Sequence, residues 1–561
     1  MLTCMRFSAI LVAIALLGGC TAETGSRGPA TRTTGPPKPE HNAGATPGGA
    51  RLSPVEGGSI FVAADEPPVT LNAALADGNA VINAFIYAAV LSPLWRITAD
   101  LEYEPLLLEG EPEVTNEPFT VTYTLKDGLV WNDGWPLTAK DVAFTHDTIM
   151  NRRFDIATRR GHKLVRWVRV LDRHRVQFVF DRPYGDWRAM FSQPEEAILP
   201  KHILRKSDFD AVWTKELTAS SGPFEFDSWE SGQLTLKRNE GYWGDAPSLD
   251  EVVIAFYPDI ASKVRALQEG EVDVLYAPGQ TGLLDHLQSL GGVTVEVGPS
   301  TLWEHIDFNT QLAPLDKQFV RQAVAKAIDR QRIVETAAAP LDPDATVLNS
   351  VLALGNQPGY RDTWSAAVAF DPAAAEELLV RNKCRKVDGT YRCQGTALEV
   401  DFVTTAASPL RLQVLKLVRE DLAAVGITLN SRTAPSRRIF TPSFLASKKR
   451  WGMFEFATRG GESMAATQMP WRCTSPPWIN ITKYCNPAVD ELLDRANHSA
   501  AGEEAAELLA QADRLIAQDV PTLPLYQRPS YLVWRSSIDG PRHNASAWGP
   551  LWNVGDWVLM Q

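Results

Sequence analysis

The stretch Val121–Val142, VTYTLKDGLVWNDGWPLTAKDV, changes from the side-chain period of a strand to that of a helix. Its first residues continue an alternation of apolar and polar side chains that begins at Phe119, which predicts a strand up to Leu125. A Lys-Asp-Gly turn follows. Thr138 stands where a helix N-cap is preferred, and the residues after it predict a helix up to Met150. The stretch therefore predicts a strand, a turn and a helix in that order.

Three further stretches on the C-terminal side combine tight turns with strands and helices. In chain order they are Ser221–Phe224 with Gly241–Gly244, the helix end and strand start from Lys263 to Tyr276, and Asp307–Asn309 with the helix Val320–Arg330. The last of these helices places its apolar residues on one face and its charged residues on the other.

Together the four stretches resemble the signature of the family 5 extracellular solute-binding proteins, which are the receptors of ABC importers for peptides, nickel and sugars. The resemblance implies an α/β fold, a two-lobed clamshell of the periplasmic-binding-protein kind with mixed sheets flanked by helices. The resemblance is to the large type of this fold, called cluster C, which has an extra subdomain. The implied first lobe is 53–303, with the inserted subdomain at about 95–220, followed by a second lobe at 304–522 and a return to the first lobe at 523–561.

Two lobes on two linking strands imply capture of a ligand by closure, because a ligand that touches both lobes favours the closed state. The crossings are expected near Leu302–Asn309 and Val520–Tyr526. The resemblance implies a small-molecule or oligopeptide ligand, ABC permease subunits as partners, and a monomer. An alternative is an envelope lipoprotein of the same fold that no longer feeds a transporter and docks a protein partner in cell-envelope biogenesis.

The composition is that of a globular protein and argues against several classes of function. The chain has 561 residues, a formal charge of -12 and 45% hydrophobic residues. Such an acidic body argues against nucleic acid and against broad contact with an anionic lipid surface. The motifs of serine hydrolases, β-lactamases and zinc proteases are absent, and the nine His stand singly. We expect no catalysis, no cofactor and no metal site, although some relatives bind haem or nickel with few protein ligands.

The N-terminus predicts export and anchoring. An apolar run from Phe7 to Leu17 follows Arg6 and is too short to span a bilayer, which is typical of a secretory signal. With the two glycines that follow, Cys20 resembles the lipobox of bacterial lipoproteins, which implies removal of residues 1–19 and acylation of Cys20, with palmitate for example. Residues 20–52 predict a flexible tether. The body is expected at the extracytoplasmic face of the cell membrane, held by the lipid alone; the alternative is an ordinary signal peptide with a chance Cys.

Four cysteines remain in the exported body and form two close pairs. An Asp-Gly turn places Cys384 opposite Cys393 at a non-hydrogen-bonded position of a hairpin, where side chains come closest. We therefore predict a disulfide between them. Cys473 and Cys485 enclose a short loop and are expected to form a second one. A zinc site is the rival interpretation, but neither pair has CxxC spacing and no His cluster is near.

The ligand is less clearly indicated than the fold. Peptide-binding members of the family hold the peptide's amino terminus with an acidic residue in an Asp-Tyr motif, and the corresponding stretch here, Trp451–Ala466, lacks that motif. Glu462 stands nearest to the expected position, shortly after Arg459. Either Glu462 binds an ammonium group one residue out of register, or the ligand is not a peptide with a free amine. Further candidates to line the cleft are aromatic: Trp303, Trp471, Trp478 and Tyr276.

Overall fold

A computed structural model describes residues 53–460, 464–499 and 502–561 of the chain. The strands in chain order are β1 Pro54–Val55, β2 Ser59–Ala64, β3 Trp95–Ile97, β4 Tyr103–Pro105, β5 Glu113–Asn116, β6 Phe119–Thr124, β7 Val165–Val170, β8 Arg175–Phe180, β9 Phe224–Glu230, β10 Gln233–Arg238, β11 Glu251–Phe256, β12 Val274–Pro278, β13 Val293–Phe308, β14 Cys384–Val387, β15 Thr390–Cys393, β16 Thr396–Ala397, β17 Glu399–Thr405, β18 Thr428–Ala434, β19 Met453–Arg459, β20 Thr522–Arg535, β21 Ile538–Asp539 and β22 Val558–Met560.

The α-helices surround these strands. In chain order they are α1 Val81–Val90, α2 Ala139–Met150, α3 Lys201–Leu204, α4 Ile260–Glu269, α5 Leu283–Gln288, α6 Gln318–Ala327, α7 Arg330–Ile333, α8 Pro372–Arg381, α9 Pro409–Ala424, α10 Ser436–Ile439, α11 Pro442–Leu445, α12 Met464–Gln468, α13 Pro487–His498 and α14 Gly502–Asp519. None of the described helices combines the length and the apolar character needed to cross a bilayer.

Ten strands form one mixed sheet in the order β18-β17-β19-β13-β20-β12-β2-β11-β10-β9. The two longest, β13 with 16 residues and β20 with 14, pair antiparallel in the middle of it. Parallel strands lie on both sides of this pair, β12, β2 and β11 on one side and β19, β17 and β18 on the other. Parallel strands are usually covered on both faces, which explains the apolar runs of β2, β11 and β12.

The hydrophobic core is divided at the β13–β20 pair. One large cluster is built from residues 60–274 and 532–557, and the other from residues 303–526. A smaller cluster lies beside each. We call the parts around these cores the first lobe and the second lobe.

The predicted strand, turn and helix between Val121 and Val142 are confirmed. β6 and α2 frame the turn, and the helix begins with a capping box. Thr138 Oγ1 accepts from the backbone N–H of Lys140 at 3.3 Å, and the Asp141 carboxylate accepts from the backbone N–H of Thr138 at 2.8 Å. In the first lobe, α2 packs on the four-stranded sheet β5-β6-β8-β7.

One predicted helix, Val320–Arg330, is interrupted in the structure. α6 ends at Ala327, and the carboxylate of Asp329 accepts from the backbone N–H of Arg332 at 3.0 Å, which caps the start of α7. Arg330 is buried and donates to two backbone carbonyls of the second lobe, each at 3.1 Å. The buried arginine and the new cap redirect the chain, and neither depends on the apolar spacing that predicted a single helix.

Candidate ligand-binding site between the lobes

The two strands that connect the lobes have a break in their pairing. The β13–β20 ladder is regular up to the pair Pro299–Pro529 and resumes at the pair Trp303–Gln527. Between these pairs Arg528 donates to a carbonyl of the first lobe at 2.8 Å. A break in a two-stranded connection allows both strands to bend at one level, as a hinge between two lobes requires, and we call this crossing the hinge.

A second contact joins the lobes through the backbone. The N–H of Gly185 in the first lobe donates to the carbonyl of Asn497 at the end of α13, at 2.7 Å. A Cβ atom at Gly185 would lie 2.6 Å from the Ser499 carbonyl oxygen and 2.8 Å from that of Ala496. The approach is too close for any side chain, which explains the glycine.

Described residues on either side of 461–463 lie near these two contacts. The N–H of Gly460 donates to the Thr301 carbonyl at the crossing, at 2.6 Å. The Gln468 side chain donates to the Asn497 side chain at 3.0 Å, beside the second contact. Glu462 itself lies outside the described residues, as does Cys20.

A buried group of charged side chains lies beside the crossing. It consists of Glu304 on β13, Glu455 on β19, Arg411 in the first turn of α9 and Arg528 on β20, and we call it the hinge cluster. Two hydrogen bonds, of 3.1 and 3.2 Å, join Arg411 to Glu304. Arg528 Nη1 lies 3.6 Å from Glu304 Oε1, and Arg411 Nε lies 3.8 Å from Glu455 Oε1. Both carboxyl groups are fully buried, so these neighbours determine their charge.

The two glutamates of the hinge cluster differ in protonation. Burial disfavours the ionised form of Glu304, but Arg411 and Arg528 outweigh burial and hold the pKa of Glu304 below its usual value. Burial and the neighbouring Glu304 raise the pKa of Glu455 well above its usual value, although Arg411 opposes them. Glu455 is therefore the member that takes up a proton more readily, and its carboxyl group is hydrogen-bonded to the Thr404 hydroxyl. When Glu455 is protonated, two guanidinium groups face one carboxylate, which leaves one positive charge in excess.

Unpaired polar atoms add to the chemistry of this region. Within the part of the chain that the structure describes, Glu455 Oε1, the Tyr526 hydroxyl and Arg528 Nε are buried without a hydrogen-bond partner. Buried polar atoms are normally satisfied by protein, ordered water or a ligand. The unpaired atoms and the excess positive charge favour an anionic or carboxylate group near the crossing.

The predicted aromatic residues occupy different environments. Trp303 and Trp471 are 4% and 3% exposed and belong to the core of the second lobe. Trp478 is 49% exposed. Tyr276 is half-buried, and its hydroxyl lies 2.8 Å from the Ser530 hydroxyl. Trp303 and Trp471 thus pack in that core, and their contact with a ligand stays a prediction.

The charged and cysteine residues are placed as follows. Arg459 is the exposed last residue of β19 and pairs with Leu302 at the crossing. Disulfides join Cys384 to Cys393 and Cys473 to Cys485, with Cα–Cα distances of 4.1 and 4.5 Å. Cys384 and Cys393 are register partners in the β14–β15 hairpin, which agrees with the predicted turn.

Sequence reasoning missed the hinge cluster. Its signal was present, because Glu304 and Glu455 interrupt runs of apolar residues in buried strands. A charged residue in such a run requires a partner of opposite charge. The sequence does not show which arginine supplies it, since Arg411 is 107 residues from Glu304.

The chain is similar to known proteins over most of its length. Residues 102–475 match the family model of bacterial extracellular solute-binding proteins, family 5. The oligopeptide-binding protein OppA of Mycobacterium tuberculosis H37Rv is 27% identical over 508 residues, which cover 86% of this chain and 82% of OppA.

Two solved structures share the fold. The periplasmic EDTA-binding protein EppA is 23% identical and superposes with a TM-score of 0.78 over 91% of this chain and 98% of its own. The oligopeptide-binding protein AppA of Bacillus subtilis, solved with a nonapeptide, is 20% identical and superposes with a TM-score of 0.65 over 91% of this chain and 100% of its own.

Proposed function

Because the chain belongs to the bacterial extracellular solute-binding proteins of family 5, we propose that it captures a peptide-like solute between its lobes and delivers it to the permease of an ABC importer. OppA is named as an oligopeptide-binding protein and AppA was solved with a nonapeptide, which supports a peptide as the class of ligand. The observation that carries the proposal is the pair of interlobe contacts, the hinge and the Gly185–Asn497 hydrogen bond. A ligand that touches both lobes would stabilise this arrangement.

The proposal includes the division of the chain and its anchoring. In the proposed division, residues 53–303 and 523–561 form the first lobe, with the inserted subdomain at about 95–220, and residues 304–522 form the second. The boundaries lie on the connecting strands, whose side chains at Trp303 and from Leu523 to Tyr526 pack in the core of the second lobe. Acylated Cys20 and the tether 20–52 hold the body at the extracytoplasmic face of the membrane. The extracellular character of the family supports this location.

The ligand's two charged ends would meet groups of opposite sign. We assign the ammonium group to Glu462, which follows Arg459 closely in the sequence. The carboxylate is assigned to Arg459 at the end of β19 and to the excess positive charge of the hinge cluster. Buried or half-buried ion pairs of this kind fix the orientation of a ligand as well as its affinity.

The experiment compares an unmodified pentapeptide library with its N-acetylated counterpart by isothermal titration calorimetry. Acetylation removes the ammonium charge, and Glu462→Gln removes its partner. Each change is expected to weaken binding about 30-fold, which corresponds to about 2 kcal/mol, and the two losses should not add. Glu503→Gln, an exposed glutamate of α14, is the matched control and should bind as the wild type does.

Two outcomes would change the proposal. Equal affinity for acetylated and unmodified peptides would keep the peptide class but remove Glu462 as the anchor. If no peptide binds and native mass spectrometry finds no small molecule on the purified protein, import is refuted and the protein-docking alternative takes its place.

A further inference from the structure

The inserted part of the first lobe carries a positive surface on an otherwise acidic protein. Residues 152–182 contain ten Lys and Arg and three Asp, a surplus of seven positive charges, whereas the whole chain has a formal charge of -12. Most of these basic side chains are exposed. A local surplus of this size creates a positive potential that the net charge of the molecule conceals.

The positive surface follows the free edge of a sheet. β7 pairs with β8 and is the last strand of the four-stranded sheet β5-β6-β8-β7. We call the exposed residues along it the basic edge: Lys163, Arg166, Trp167, Arg169, Val170, Leu171 and Arg173. Lys163 lies two residues before the start of β7. The other six residues form one continuous edge that ends in the β7–β8 turn.

Two side chains of the basic edge, Trp167 and Arg169, are exposed for a structural reason. Val168 is the register partner of Phe178, which is fully buried, so this face of β7 turns to the core. Trp167 and Arg169 are on the opposite face. Trp167 is 49% exposed, and the guanidinium group of Arg166 lies 4.2 Å from the centre of its ring.

Several cations of the basic edge are not neutralised. Lys163, Arg169 and Arg173 form no ion pair with any residue that the structure describes. Arg166 has only a long contact, 3.9 Å, to the exposed Asp181. Exposed pairs of this kind contribute little, so nearly all of the positive charge is available to an external anion.

We propose that the basic edge docks on an anionic phospholipid bilayer. An exposed Trp beside aliphatic residues and flanked by arginines is the composition of surfaces that sit at the lipid headgroups. An added protein strand is disfavoured, because a bulge between Val165 and Trp167 and the charged side chains obstruct pairing along β7. The acidic remainder of the protein is repelled by the same lipids, so docking is confined to this edge and orients the first lobe.

The test measures sedimentation of residues 53–561, which contain every residue of the hydrophobic clusters, with lipid vesicles. The wild type should bind phosphatidylcholine vesicles that contain phosphatidylglycerol, lose most of this binding in high salt, and not bind pure phosphatidylcholine. The double variant Arg166→Gln/Arg169→Gln should reduce partitioning at least about tenfold, and Trp167→Ala should reduce it several-fold.

The matched control is Arg437→Gln/Arg438→Gln, which removes the same charge from exposed positions of the second lobe. It should leave partitioning unchanged. An equal loss in both double variants, or no dependence on phosphatidylglycerol, would overturn the proposal. Stronger retention on immobilised polyglutamate than on vesicles, without an effect of Trp167→Ala, would assign the edge to an acidic protein partner instead. Each variant changes exposed side chains only, and its thermal unfolding is measured alongside.

Discussion

Glu304 and Glu455 have the same type of side chain in the same buried cluster, but their neighbours shift their pKa values in opposite directions. Glu304 accepts two hydrogen bonds from Arg411, whereas Glu455 lies 3.8 Å from the same guanidinium group. Since an ionised carboxylate cannot be buried without such partners, only Glu304 keeps its charge. The hinge cluster thus combines one ion pair with one neutral acid.

This difference predicts losses of stability of different size from the same substitution. Glu304→Gln leaves two buried guanidinium groups without their carboxylate and is expected to lower the free energy of unfolding by about 3 kcal/mol or more. Glu455→Gln replaces a protonated acid by a neutral amide of the same shape and should cost less than about 1 kcal/mol. Urea unfolding of both variants measures the difference, and a larger loss for Glu455→Gln would contradict the assigned charges.

The pH dependence has a definite sign. The pKa of Glu455 is raised in the folded state, so its contribution to stability is present below the ordinary pKa of glutamate and is lost as the pH rises towards the raised value. Glu455→Gln should therefore remove a decrease in the free energy of unfolding with rising pH. Glu304 has a lowered pKa, so its contribution to stability is lost as the pH falls through the ordinary pKa of glutamate towards the lowered value. Glu304→Gln should therefore remove a decrease in the free energy of unfolding with falling pH.

Among the elements, the loop from 339 to 371 is held by one carboxylate on a distant helix. The structure describes no regular helix or strand in this loop. Asp513 of α14 is buried and accepts from the backbone N–H of Val351 at 3.2 Å, the indole N–H of Trp364 at 3.0 Å and the hydroxyl of Thr363 at 2.6 Å. The two N–H groups can only donate and both reach Asp513 Oδ1, so the site requires an acceptor at that atom.

Asp513→Leu is expected to release this loop. The apolar side chain of similar size leaves the buried N–H groups of Val351 and Trp364 without an acceptor, which should lower the free energy of unfolding by about 2 kcal/mol. Hydrogen exchange should become faster in peptides that cover 350–364 and remain unchanged in the first lobe. Glu503→Gln on the same helix is the control, and equal protection of the loop in both variants would show that Asp513 does not hold it.

On the scale of the whole molecule, the described parts of the two lobes also meet away from the crossing, at Gly185 and where the Tyr531 hydroxyl donates to the Leu341 carbonyl at 2.7 Å. Gly185 permits the first of these contacts, because a methyl group there would overlap two carbonyl oxygens of the second lobe. This backbone contact therefore depends on the absence of a side chain at one position in a loop of the first lobe.

Gly185→Ala is expected to shift the lobes apart. The added methyl group keeps the two backbones apart and so disfavours closure of the lobes. We expect a larger radius of gyration in small-angle X-ray scattering and about tenfold weaker binding of peptides. Gly110→Ala is the matched control, since a Cβ atom there meets nothing within 4 Å. An unchanged radius of gyration in Gly185→Ala would mean that the contact does not limit closure.

Features that depend on neighbours in the chain were predictable from the residues themselves. The capping box at Thr138, the glycine end of α4 at Gly270 and the proline start of α8 each need only a few adjacent residues. The hairpin register that sets Cys384 opposite Cys393 follows from a two-residue turn. The order of such motifs also indicated the family and its α/β fold, which the comparisons confirm.

Contacts between distant segments required the folded arrangement. The Glu304–Arg411 pair spans 107 residues, and the Gly185–Asn497 contact joins two lobes. Whether Trp303 packs in a core or faces a cleft depends on what covers β13, and its burial is a property of that packing. Local propensity and motif order act over a few residues at a time, whereas the site between the lobes is created when one sheet brings remote strands together.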